Sequence, residues 1–427
     1  MSQNKITDIK GRMVFDSRGM PTVEAEISVN NKYKGIAISP SGASKGKNEA
    51  VEIKDNNDKF FGNSVDNNIH SINTIIKENL IGFNIEDQKT IDETLIELDG
   101  TTNKSNLGAN TLIAVSMAAL RAASISNKCE LWSYLNVLPE KKLPIPEIQI
   151  IGGGAHAKGS IRIQDFMIIP NGAPDFYTAL HWVFKVYKKT GEKLLNNKKL
   201  FGVADEGGYW PYFDNISQVL NFLTQAIEES GFKPFKEISI SLDIAANNFK
   251  KNKNYQISKE SPSIDTDELC DELIKLINNY PIISIEDPFA EEDIDYFIKL
   301  KKKSPPYLQI VGDDLVVTNT KLIENANKKN AINSILIKPN QIGTITEAFY
   351  ALNLSKELGL MSILSARSGE TEDSFIADLC VGWNVKQFKV GSLSRSERLS
   401  KWNQCLRIGE SFKNKYAMHE SKNIWKI

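Results

Sequence analysis

Apolar and polar positions alternate through residues 5 to 40, in stretches such as "TVEAEISV" and "YKGIAIS" separated by Asn30-Asn31, and this period of two predicts a β-hairpin or meander. The pattern then lengthens to a helical period in "DNNIHSINTIIKENL", "IEDQKTIDETLIEL" and "GANTLIAVSMAALRAAS", each preceded or opened by Asp, Asn or Gly. Strands followed by helices predict a compact α+β unit over residues 1–135. After the Pro-bearing stretch "NVLPEKKLPIPE", short apolar runs recur near 143–151, 164–170, 238–244, 282–287, 308–314, 333–338, 361–366 and 386–391. From the third run onward, helical patterns such as "DIDYFIKLKKK" and "ITEAFYALNLSKELG" fill the gaps. The expected fold class is therefore α/β, with an irregular (β/α)₈ barrel over residues 136–427 behind the smaller N-terminal α+β domain. The irregularity lies at its start, where the interval near 152–163 is Gly-rich and too short for a packed helix.

Charged residues stand where these runs end: Asp243 in "SLDIAA", Glu286 in "SIEDPF", Asp313 in "VGDDL", Lys338 in "LIKPN", Arg367 in "SARSG" and Lys389 in "FKVGS". The C-terminal ends of barrel strands face one mouth, so residues far apart in sequence become neighbours. Three carboxylates crowded there repel by a few kcal/mol even at an effective dielectric of about 20, and need protons or a cation to coexist. With oxygen donors and no nearby His or Cys, Mg²⁺ is expected over Zn²⁺. Each acid taken singly reads as well as a helix cap or a partner for a barrel lysine. Two ammonium groups on one rim are expected to depress each other's pKa, which would suit Lys338 as a base; a snorkelling or ion-paired lysine is the structural alternative. Arg367-Ser368-Gly369 has the donors of an oxyanion clamp.

Two loops add to the set. "SPSGASKGKNE", Ser39 to Glu49, is too rich in Gly and Ser for a regular element and suits a mobile lid; "ADEGGYWP", Ala204 to Pro211, interrupts the barrel with an acid pair. His156, one of four histidines, lies among glycines in "GGGAHAKGS", as a ligand-approaching residue would.

Composition narrows the partners. Lys and Arg number 52 against 53 Asp and Glu, for a net charge of -1, which argues against nucleic acid and polybasic membrane anchors and leaves a small molecule. Four scattered cysteines without a C-x-x-C pair argue against a disulfide framework and a structural zinc site. The N-terminal "MSQNKITDIKGRMVF" has no apolar h-region and no uncharged 18-residue apolar run occurs, so no membrane span is expected and the cytoplasm is the expected location.

The chain resembles the enolase family nearly end to end, on "DSRGMPTVE", "SGAS", "LGAN", "QDFMIIPNGA", "DEGG", "LDIAA", "SIEDPF", "VGDDLVVTN", "ILIKPNQIGT", "RSGETEDSFIADL" and "RSERLSKWNQCLRIGE" in the family's order. The resemblance implies a Mg²⁺-dependent lyase that dehydrates 2-phosphoglycerate reversibly to phosphoenolpyruvate. It implies two Mg²⁺ sites, the first held by Asp243, Glu286 and Asp313 and the second met by Ser44 of the lid. Lys338 would remove the proton α to the carboxylate, and Glu206 would protonate the departing hydroxyl. Lys389 would bind the substrate carboxylate, Arg367 and Ser368 its phosphate, with further contacts from His156, Gln164 and Asp165 and the ligands Glu286 and Asp313 close to the substrate. A cytoplasmic homodimer acting on a phosphorylated carboxylate is also implied.

Four positions depart from the family pattern: Ala366 stands where S-H-R-S-G has His, Asp165 where Q-E-F has Glu, Ala204 where Gly precedes "DEGG", and Lys45 where Thr follows "SGAS". The first two fall toward the leaving-hydroxyl side. They leave open a paralogue with modified enolate chemistry on a related phospho- or phosphono-carboxylate, and a non-catalytic binding protein.

Overall fold

The computed structural model describes residues 4–135, 141–157, 159 and 161–425. The Pro-bearing stretch that begins at Asn136, and with it the expected domain junction, falls partly outside these residues, as does the C-terminal Lys426-Ile427.

The alternating N-terminal segments form an antiparallel meander of β1 (Ile6–Phe15), β2 (Pro21–Val29) and β3 (Tyr33–Ile38), with Asn30 and Asn31 in the left-handed turn between β2 and β3. The three helical patterns are present over 66–80, 88–99 and 109–126, the first wound as a π-helix at Ile72–Ile76. Asp87 caps the second by accepting the Thr90 N–H at 3.1 Å, and Gly100, at φ 71°, ends it. Ala109–Ser126 packs across the meander, where a Cβ on Gly35 would lie 2.3 Å from the Ala122 nitrogen; only glycine permits that approach. This helix is long and apolar enough to cross a membrane by composition, yet 89% of it is buried inside the fold, as expected of a core helix.

All eight expected strands are present: β4 (Ile145–Gly152), β5 (Asp165–Ile169), β8 (Ser239–Asp243), β11 (Ile282–Glu286), β12 (Gln309–Gly312), β13 (Ser334–Ile337), β14 (Met361–Ser365) and β15 (Gln387–Gly391). Each pairs with its neighbour, and β15 closes the ring onto β4. Among the described residues between β4 and β5, the only helix is the four-residue Gly154–Ala157. Such a connection is too short for a parallel crossover, and β5 accordingly runs antiparallel to both β4 and β8. One expectation needs correcting: "ADEGGYWP" is not all loop. Tyr209–Pro211 is a strand, β7, which pairs with β6 (Leu200–Val203) and meets β4 at Ile151. A small hairpin of β9 (Lys250–Lys251) and β10 (Asn254–Tyr255) follows β8.

Side chains alternate across each strand, so a residue at the mouth and the one two positions before it both face the lumen. Val311, Leu336 and Ile363 form an apolar cluster there, separate from the main core. Elsewhere the lumen is polar, with Ser241 and Gln387 both donating to the Glu147 carboxylate. The same alternation delivers the charged residues above it.

Candidate active site

Lys389, at the end of β15, donates from Nζ to Asp243 Oδ2 and Glu286 Oε2, each at 2.8 Å. Burial opposes its charge, but Asp243 and Glu286 prevail and hold the ammonium well above the ordinary lysine value. Gln164 Nε2 adds a bond to Asp243 Oδ2 at 3.0 Å. Glu286 is fully buried and pushed well above the carboxylate range by desolvation and by Asp243, against the pull of Lys389. Its second oxygen, Oε1, is buried with no hydrogen-bond partner, the orphan a cation would satisfy.

Lys338 donates to Asp313 Oδ2, and Gln341 Nε2 donates to Oδ1 at 2.8 Å. Asp287 fixes the backbone beneath this pair: Oδ1 accepts the Asp313 N–H at 3.0 Å and Oδ2 the Asp314 N–H at 2.7 Å. Asp287 itself sits at φ 42°, in the left-handed region, where the chain turns off β11. The expectation that the two lysines depress one another is overturned. Burial, Arg367 and Lys389 do act to lower the Lys338 pKa, but contact with Asp313 outweighs them and it is raised.

Asp243, Glu286 and Asp313 thus share one mouth without meeting at one point, because each buried carboxylate turns to an available ammonium. Among the described residues, two groups bring ligand atoms within 4.8 Å of one another, as one cation would require: Asp287–Asp313–Asp314 and His156–Asp165–Glu206. The second reads better as a proton network. Burial opposes the His156 charge, but Asp165 and Glu206 raise its pKa to about 9, which favours the protonated ring. Its Nδ1 lies 2.8 Å from Asp165 Oδ1 and its Nε2 3.7 Å from Glu206 Oε1. Burial pushes the Glu206 carboxyl above its usual range, against the attraction of His156. That is the direction a proton donor at neutral pH requires.

The loop from Ser39 to Glu49 packs over Arg367 and Ser368. Ser41 and Gly369 exchange backbone hydrogen bonds at 2.9 and 2.8 Å, and the Ala43 N–H donates to Ser368 Oγ at 2.6 Å. Arg367 forks onto both Glu49 oxygens from Nη2 at 3.1 Å, donates to Asn340 Oδ1 at 3.0 Å, and reaches the Ser44 carbonyl at 3.2 Å. Ser44 therefore meets the clamp through its main chain. Lys45, the departure in the lid, pairs at 2.6 Å with the buried Glu52.

Several working residues escaped the sequence reading. Glu49, Gln341 and Asp287 brace the residues just described. Arg398, fully buried, donates to the carbonyls of Arg367 at 2.6 Å, Val390 at 3.0 Å and Ser368. Gln149 accepts the Gly208 N–H at 2.7 Å and donates to Asp165. Glu147 and Gln149 were detectable as two polar residues at strand spacing inside the apolar run "IPEIQII".

Comparison with known proteins agrees with this geometry. The family model described as "Enolase, N-terminal domain" matches residues 6–135, and "Enolase, C-terminal TIM barrel domain" matches 140–426. The chain is 44% identical over 409 residues to the protein named Enolase from Ehrlichia canis (strain Jake), spanning 96% of this chain and 97% of that one. The chain belongs to the enolase family. An enolase is a carbon–oxygen lyase, and the nearly full-length match does not favour the modified-chemistry or non-catalytic readings that Ala366 and Asp165 left open. Ala366 itself is buried at the end of β14, where its N–H bonds the Lys389 carbonyl at 2.9 Å.

Proposed function

We propose that this enolase catalyses the reversible dehydration of 2-phosphoglycerate to phosphoenolpyruvate, a step of glycolysis and gluconeogenesis. The observation that carries the reading is one mouth in which Lys338 pairs with Asp313, Lys389 with Asp243 and Glu286, and His156 lies between Asp165 and Glu206. A base and an acid are thereby held apart, each with its own partners. Lys338, once freed from the Asp313 contact that favours its charged form, takes the proton from the carbon next to the carboxylate, and Glu206 gives one to the hydroxyl that leaves carbon 3. Lys389 neutralises the substrate carboxylate, Arg367 and Ser368 bind the phosphate, and Gln164 and His156 orient the remainder. The lid from Ser39 to Glu49 excludes water once shut.

We assign Mg²⁺ to Asp243, Glu286 and Asp313, which would have to turn from Lys389 and Lys338 to share it, with a second ion toward Ser44; the all-oxygen donor set and the orphaned Glu286 Oε1 fit a hard divalent cation. When bound it supplies positive charge to the substrate carboxylate as that group gains electron density. We further place the boundary between the lid-bearing domain and the barrel at residues 135/136, and the enzyme in the cytoplasm as a homodimer. Phe15 and Phe60, 52% and 43% exposed with their rings 5.9 Å apart, together with the exposed Phe61, offer an apolar spot suited to a second copy.

The test is direct. Purified protein with Mg²⁺ is expected to form phosphoenolpyruvate from 2-phosphoglycerate, and Lys338→Ala to lose more than ~10³-fold of that rate. Absence of turnover alongside normal Mg²⁺ binding would overturn the assignment.

A further inference from the structure

Gln149 lies on β4 with no solvent exposure and is unused by the chemistry proposed above. Its amide orientation follows from its partners: the carbonyl Oε1 accepts the Gly208 N–H at 2.7 Å, and Nε2 donates to Asp165 Oδ1. That same Asp165 oxygen receives His156 Nδ1 at 2.8 Å, and the other face of the imidazole meets Glu206. Glu206 and Gly208 belong to one tight turn, in which the Ala204 N–H bonds the Gly208 carbonyl at 2.7 Å and the Gly207 N–H bonds the Ala204 carbonyl at 2.9 Å. The contacts therefore close a ring, from Gln149 through Asp165, His156 and Glu206 back along the turn to Gly208.

We propose that Gln149 is a positioning residue, whose single buried amide sets the separation between the Glu206 carboxyl and the His156 ring. Close packing supports this role. A Cβ on Gly208 would lie 2.5 Å from Gln149 Oε1, and one on Gly152 3.3 Å from Nε2, so the amide packs closely between two backbone segments. Other bonds secure the turn from outside, with the Tyr187 hydroxyl donating to the Gly207 carbonyl at 3.0 Å and the Ser392 N–H to the Glu206 carbonyl at 2.8 Å. Those bonds fix the main chain; Gln149 links it to the carboxylate that orients the imidazole. Asp165 is one methylene shorter than the glutamate of the family pattern, and the length of the Gln149 side chain spans the gap to it.

The inference rests on the proposed dehydration for its kinetic readout, and a second readout is independent of turnover. Gln149→Met keeps volume and removes both bonds; Gln149→Glu keeps the acceptor for Gly208 and sets a carboxylate against Asp165. For Gln149→Met, kcat is expected to fall roughly 10- to 100-fold while KM for 2-phosphoglycerate stays within about threefold. Exchange of the carbon-2 hydrogen with solvent deuterium, which Lys338 performs, should stay within about threefold of wild type. Only four histidines are present, so the His156 ring can be followed by NMR, and its titration midpoint is expected to rise in Gln149→Met, which adds no charge but removes the amide donor that shares Asp165 with the ring. Equal losses in exchange and kcat, or an unmoved midpoint with unchanged kcat, would overturn the role of Gln149. A wild-type protein that never turns over would instead defeat the dehydration reading, and the His156 midpoint alone would then decide on Gln149: a rise supports it and no movement rejects it.

Discussion

Removal of the Arg398 guanidinium should damage stability and substrate binding together. The side chain is fully buried, and its two terminal nitrogens reach three main-chain carbonyls, those of Arg367, Ser368 and Val390. In Arg398→Met the stem and much of the volume remain, but three carbonyls lose their donor in a site closed to bulk water. A buried acceptor left unsatisfied costs about 1–3 kcal/mol. Against this, loss of a buried cation removes its own desolvation cost, so the expected net destabilisation is about 3 kcal/mol. The second effect is local. Two of those carbonyls belong to the residues proposed to bind phosphate and the third follows Lys389, so displacing this backbone should raise KM for 2-phosphoglycerate by roughly 10-fold or more. Arg398→Lys, which retains charge without the planar fork, should fall between. Urea denaturation with and without Mg²⁺ gives the first quantity and steady-state kinetics the second. An Arg398→Met protein with unchanged midpoint and unchanged KM would refute the argument that the guanidinium holds this backbone.

Two further outcomes are expected. Ala366→His should raise the dehydration rate if the leaving-group side limits turnover, whereas an unchanged rate measured at saturating substrate would place the limit elsewhere. Glu52 is held at a pKa of about 2 against the disfavour of burial, by Lys45, Lys54 and Ser41. Because its folded value lies below the unfolded one, the stabilisation is fully present above about pH 4.5 and is lost as pH falls toward 2. Glu52→Gln should therefore cost about 2 kcal/mol at pH 7 and flatten the acid limb of the stability profile, as followed by denaturation at stepped pH; an unchanged limb would show that the carboxylate is not stabilised by its lysines.

The barrel was legible because its strands are brief apolar runs bounded by turn residues, a signal that survives whatever the neighbours are. The reversed direction of β5 was not legible, since a period of two is common to parallel and antiparallel strands; only the brevity of the 152–163 interval hinted at it. The β6–β7 hairpin escaped because Phe201 and Val203, 69% and 40% exposed, face outward on a strand whose other positions are small or half-buried. Charged strand ends pointed to Asp243, Glu286, Asp313, Lys338 and Lys389, because a buried charge at a barrel mouth has few explanations. Supporting residues were harder to see. Arg398 lies in the helix Ser396–Glu410, where its position in sequence looks like that of any surface arginine; its burial is decided by the partner backbone, thirty residues away in the chain.

Asp313 above Val311, Lys338 above Leu336 and Lys389 above Gln387 occupy the same face of their strands as the lumen residues beneath them. If one of these strands paired a single step out of line, its functional group would be thrust among the greasy outer helices while an aliphatic side chain took its place at the rim. Misalignment would therefore bury a naked charge as well as disarm the enzyme. The parts needed for turnover double as proofreading for assembly, and selection for activity enforces correct strand alignment at no separate cost in sequence.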